Sequence, residues 1–167
     1  MKKILLIIFT LTLCLFAISF KKTQVSANTE TKGELISSET QYSDDGSYLL
    51  IEYYTKSTNT NARSSLRLVT HTAVVTHYSS LNKVLWVYTL IGDWHVVDGI
   101  SVQAAASVVQ TSIHENSWSF ALGDQTYYDA TVHGGGVFTH KLLGITTKTI
   151  TMDINMTCDI YGNLVEY

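Results

Sequence analysis

The 167 residues suit one domain of ordinary size, and 46% hydrophobic against 15% charged residues exclude a disordered chain. Ten Tyr, three Trp and ten Gly stand beside no Pro at all, with Thr and Ser abundant, a composition that favours β-strands over a helical bundle. A net charge of −3 leaves no basic footprint for nucleic acid.

The first segment reads as a secretory signal. Lys2 and Lys3 precede an uncharged apolar run from Ile4 to Phe20, the chain turns polar at Lys21 to Gln24, and Val25-Ser26-Ala27 offers small residues for a signal peptidase. An uncleaved anchor and a lipoprotein cut at Cys14 are the rivals. The run is at the short limit for a membrane span, and Leu13 is not the small residue that lipoprotein processing uses. Cleavage after Ala27 takes basic residues from 11 to 7 against 14 acidic ones, a net charge of −7. Phosphate backbones and anionic lipids repel such a domain. The expectation is a secreted, extracellular or wall-associated protein, with no nucleic-acid partner and membrane contact only through the signal peptide. Cys158 then stands alone, without an intramolecular disulfide, and is expected to be a small packed side chain.

Residues 28–46 are polar and read as a mobile leader, with a short strand expected around Glu34–Ser37 and a turn at Asp44-Asp45-Gly46. The folded domain is expected over 47–167. From Ser47, Tyr48, Leu50 and Tyr54 alternate with Leu49, Ile51 and Tyr53, a strand apolar on both faces that belongs mid-sheet or at an interface. Lys56 to Arg63 is a Ser-Thr-Asn loop. Strands are expected over Leu66 to Tyr78 and Val84 to Val97, the latter with a bulge or bend at Gly92. Asp98-Gly99 marks a hairpin into a strand from Ile100 toward Ile113, where flanking β-branched residues outweigh the helical look of Ala104-Ala105-Ala106. Short strands follow over Trp118 to Leu122, closed by Gly123-Asp124, and over Tyr127 to Val132, ended by Gly134-Gly135-Gly136. Val137 to Leu143 and Ile145 to Cys158 read as a hairpin pivoting at Gly144. In its second arm Ile150, Met152, Ile154, Met156 and Cys158 share one face and Thr149, Thr151, Asp153, Asn155 and Thr157 the other. Leu164 to Tyr167 closes the chain after a turn at Tyr161-Gly162-Asn163. The fold class is therefore all-β, an antiparallel β-sandwich or barrel of seven to nine strands behind a signal peptide at 1–27.

The six His invite a metal reading that spacing opposes. His71 and His77 share a strand face but stand about 20 Å apart at ~3.3 Å per residue, and the others are solitary. No Gly-x-Ser-x-Gly, phosphate loop or paired-carboxylate pattern stands out, so no catalytic residue, metal ligand or cofactor is expected. The aromatics carry what signal remains. Trp86, Tyr88 and Leu90 share a face, and Trp94, Trp118 and Phe120 can pack with them as core. The functional alternative is a sugar-contacting platform at Trp94 with Asp93 and His95. Tyr53-Tyr54 and Tyr127-Tyr128 each place one ring on each face, so Tyr54 and Tyr128 join the candidate contact surface.

Val84-Leu85-Trp86 opening a strand, the aromatic segment before Asp98-Gly99, Trp118 after a turn, and Thr157-Cys158-Asp159-Ile160-Tyr161-Gly162-Asn163-Leu164 carry a resemblance. From Val84 to the C-terminus the pattern resembles uncharacterised small exported proteins of low-GC Gram-positive bacteria. The resemblance implies export and an all-β domain and no activity. Those relatives often carry a second Cys after the position of Gly99, and Ile100 to Ser107 contains none. The function expected is a non-catalytic binding or adhesion module for a cell-surface glycan or protein ligand. A membrane-active, bacteriocin-like antagonist and an enzyme of unassigned chemistry are the alternatives.

Overall fold

Period-two burial runs through the chain, and antiparallel pairing turns it into two facing sheets. The computed structural model describes residues 33–58 and 66–167. The expected signal peptide and most of the Ser-Thr-Asn loop lie outside the described residues. The strands are β1 (Glu34–Tyr42), β2 (Tyr48–Thr58), β3 (Leu66–Tyr78), β4 (Val84–Val97), β5 (Ser101–Ile113), β6 (Trp118–Tyr128), β7 (Thr131–Leu142), β8 (Ile145–Cys158) and β9 (Leu164–Glu166). The first five form one sheet and the last four the other, each in sequence order with all neighbours antiparallel. The chain changes sheet once, between β5 and β6.

The core is built on β4. Trp86, Tyr88, Leu90, Trp94 and Val96 point inward and are fully buried, and Val132, Phe138 and Met156 meet them from the second sheet. Trp86 stacks on Phe138 at 3.7 Å between ring centroids, nearly parallel. The expected amphipathic face of β8 is present, with Met152, Ile154, Met156 and Cys158 buried and Thr151, Asp153 and Asn155 exposed.

One side of the sandwich is stitched shut. The Gln125 side chain accepts from Val109 N–H and donates to Ser107 O, while Ala104 N–H donates to Asp129 O at 2.6 Å. The other side, between β1–β2 and β8, stays open as a groove of about 480 Å³ floored by Leu49, Ile51, Met152 and Ile154. The arrangement is sandwich-like.

Three boundaries differ from the sequence reading. The short strand expected around Glu34–Ser37 is present but runs on to Tyr42, so the segment expected to be a mobile leader carries the first strand of the sheet. β1 is almost wholly exposed, so it carries no apolar period, and its ladder to β2 defines it. The expected breaks at Gly123-Asp124 and Gly134-Gly135-Gly136 are strand interior, and the turn lies at Asp129-Ala130, with Asp129 at φ 47°. Gly134 and Gly136 face inward where aromatic side chains fill the space. A Cβ on Gly134 would sit 2.6 Å from Leu90 and 2.8 Å from Tyr88 Oη, and one on Gly136 would collide with the Phe120 ring. Gly92 is likewise covered, by the Trp94 indole, and the bulge expected there falls one step on, between Asp93 and Trp94 in the pairing with β5.

Candidate functional site

Trp94 does not form an exposed platform. Even-numbered residues of β4 face inward, so the Trp94 indole is in the core, donating Nε1–H to Ala130 O at 2.7 Å, while Asp93 and His95 face outward. Asp93 accepts a 2.6 Å hydrogen bond from Thr70 Oγ1, and His95 is exposed. Tyr54 shares that outer face, aligned through Thr72 with Ile91. Burial, with Glu52 beside it, pushes the Tyr54 phenol up to about 12. Tyr128 lies exposed at the end of β6 in the other sheet. Tyr54, Asp93 and His95 therefore share a face, and Trp94 and Tyr128 do not join them.

The same outer face carries an aromatic row not foreseen from sequence. Tyr42, Tyr48 and Tyr78 are cross-strand neighbours on β1, β2 and β3, with ring centroids 5.5 and 4.8 Å apart and the second pair stacked. Rings stacked along the hydrogen-bonding direction present edges to solvent, which is poor geometry for laying a sugar flat.

The concave site lies at one end of the sandwich. The β1–β2 turn, the β3–β4 turn, the segment between β5 and β6 and the ends of β7 and β8 surround a cavity of about 430 Å³. Two ion pairs flank it. Lys148 Nζ donates to Asp45 Oδ2 at 2.7 Å and to Ser47 Oγ at 2.9 Å, and Lys83 pairs with Glu115. These contacts hold the Asp45 carboxyl far below the usual carboxylate range and lower Glu115 through its bond to Lys83. The turns are locally fixed. Asp45 accepts the Ser47 amide, and Ser79 Oγ accepts the Leu81 and Lys83 amides.

At the floor is His77, on the inner face of β3, 1% exposed and packed between Trp86 and Trp118 at 4.9 and 5.2 Å. Neither of its ring nitrogens has a hydrogen-bond partner among the described residues. Desolvation, helped by the Lys148 charge, drives its pKa down to about 4, so the imidazole is neutral at pH 7. His140, opposite Trp118 in the β6–β7 register, completes the aromatic wall. The sequence placed His77 on one strand face with His71 and left His140 solitary, and no spacing joins the two, which meet through the cross-strand pair Trp118 and His140.

The opposite end of the core holds a different pair. His71 packs on Trp94, bonds Gly162 O at 3.2 Å and places Nε2 3.8 Å from Cys158 Sγ. This is the base near Cys158 that sequence spacing could not show. The thiol is 2% exposed and burial pushes its pKa up to about 12, which keeps it a protonated, packed side chain at pH 7. The adjacent Asp159-Ile160-Tyr161-Gly162-Asn163 motif is a turn whose Asp159 carboxylate accepts the Tyr161 and Asn163 amides. Among the described residues no three His, Cys, Asp or Glu side chains converge on a metal position. Comparison of the chain with protein-family models, curated proteins and solved structures finds no match.

Proposed function

We propose that this chain is an exported, non-catalytic binding module whose ligand enters the end pocket. The supporting observation is the end cavity of about 430 Å³, whose walls join the buried His77 and Trp118 rings to two ion pairs, Lys148 with Asp45 and Lys83 with Glu115. The cavity falls within the roughly 300–1,000 Å³ of small-ligand sites and combines an aromatic wall with a few convergent polar groups. The anionic balance expected after signal cleavage, and a thiol held inert, favour binding over membrane attack or nucleophilic chemistry.

The experiment is co-sedimentation of the purified protein with intact Gram-positive cell walls, beside a Ser117→Trp variant that fills the pocket mouth. Binding that the variant loses is expected. No binding, or binding that the filled pocket does not weaken, contradicts the reading, and dye release from liposomes would favour the membrane-active alternative. A second reading, adhesion to a protein surface, is favoured by the Tyr42–Tyr48–Tyr78 row on the uncovered face of the larger sheet.

A further inference from the structure

We propose that the open side of the sandwich is a slot for one extended segment of a partner protein, a strand of alternating apolar residues and Lys or Arg that pairs with the free edge of β8. The slot is separate from the end pocket and does not depend on it.

Strand count creates the slot. The first sheet has five strands, the second has three long ones and the three-residue β9, and the β5–β6 side is closed. Counted from that closed side, β8 lies opposite β3, and β2 has no long strand facing it. β9 pairs only with Thr157 and Cys158. Along residues 149–156, every second residue of β8 therefore turns its N–H and C=O toward the slot, with no backbone partner there among the described residues.

The slot is one strand wide. Leu49, Ile51 and Tyr53 of β2 face it, whereas their β1 partners Gln41, Glu39 and Ser37 are polar. A strand seated beside β8 lays alternate side chains on Leu49 and Ile51, and the position beyond it stays wet. The lining from Thr151 to Asn155 gives room for a segment of about five residues. Lys148 bonded to Asp45 bounds one end, and Tyr167 packed on Tyr53 at 4.3 Å bounds the other.

Charge selects the occupant. Glu39 on β1 and Asp153 on β8 line the slot, and no Lys or Arg does so among the described residues. Glu39 accepts from Gln41 Nε2, and Asp153 lies 3.5 Å from His133 Nδ1, so neither meets a Lys or Arg. A second copy brings the same acidic edge, and two-fold pairing of β8 with β8 would drive the two overhanging β1–β2 pairs into one another. A partner segment carrying Lys or Arg between its apolar positions meets both the apolar strip and the carboxylates.

The test is an NMR titration of the ¹⁵N-labelled protein with the end-capped peptide Lys-Val-Thr-Val-Lys-Val-Thr. Two further peptides carry Glu for both Lys, or Pro for the central Val. Saturable shifts of the Ile51, Thr151 and Asp153 amides are expected with the Lys peptide, with at least tenfold weaker binding of the other two at low salt. Glu39→Gln combined with Asp153→Asn, both at exposed positions, is expected to lower the preference for Lys over Glu at least threefold. Unmoved β8 amides, or equal binding of the Pro peptide, overturn the slot. Equal binding of the Glu peptide, or a preference unchanged in the double variant, overturns the basic partner. Hydrogen exchange without peptide separates the other occupants, and fast exchange of the free β8 amides is expected. Slow exchange in a monomer would show another segment of this chain in the slot, and slow exchange with a concentration-dependent dimer a second copy. Either overturns the partner segment.

Discussion

His77 and His71 set the protein's response to acid. Both imidazoles have pKa values lowered by burial, His77 to about 4, so the folded state takes up fewer protons than the unfolded chain below about pH 6.5. Stability is full above that value and falls as pH drops toward 4. For His77 alone the loss reaches about 3 kcal/mol at 1.36 kcal/mol per pKa unit. Urea unfolding midpoints at pH 7 and pH 4.5 measure this, and a shallower profile in His77→Phe, with the His71 share remaining, would assign the His77 part. Trp94 belongs to the same scale. Trp94→Phe removes the donor to Ala130 O and is expected to destabilise by about 1–3 kcal/mol, with unchanged binding at the far end of the sandwich. Cys158, its thiol pushed up to about 12, should resist a thiol reagent at pH 8 until the protein unfolds. Rapid labelling of the native protein would show instead that the His71 end is open.

At the scale of elements, β7 carries the sharpest constraint. Gly134→Ala puts a methyl group against Leu90 and Tyr88, and overpacking of this kind costs about 1–3 kcal/mol. Gly144→Ala meets nothing within 4 Å and carries only the strain of its left-handed φ of 82°. Thermal melts of the two variants should rank Gly144→Ala as the milder. The same glycines explain where the sequence misled. Gly134-Gly135-Gly136 looks like a break because glycine punctuates chains, yet inward-facing glycines also make room for large side chains, here Leu90 and Tyr88 of the opposite sheet over Gly134 and Phe120 of the neighbouring strand over Gly136, and only the packing distinguishes the two. The extent of β1 beyond Ser37 was obscured for the reverse reason, since an exposed edge strand needs no apolar period. The strands with one buried face, β4 and β8, were legible to the residue because burial itself writes period two into the chain.

For the whole molecule, the order of strands follows the chain so closely that the architecture was legible and the site was not. Each strand pairs with its sequence neighbour, so turn signals such as Asp98-Gly99 located the sheets. The parity that put Trp86, Tyr88 and Leu90 on one face also put Trp94 there, away from Asp93 and His95. The end pocket instead gathers Asp45 and Glu115 from two connecting segments and His77, His140 and Lys148 from three strands, through the folding of one sheet over the other. No local spacing encodes that meeting. The most direct measurement is the ring-nitrogen titration of His77 by long-range ¹H–¹⁵N correlation between pH 3 and 8. The imidazole should remain neutral through pH 6 and protonate only near pH 4, as a buried, unpartnered ring at the floor of the end pocket requires. Titration of His77 near its ordinary value of about 6.5 would place the ring in water and remove the site on which the binding reading stands.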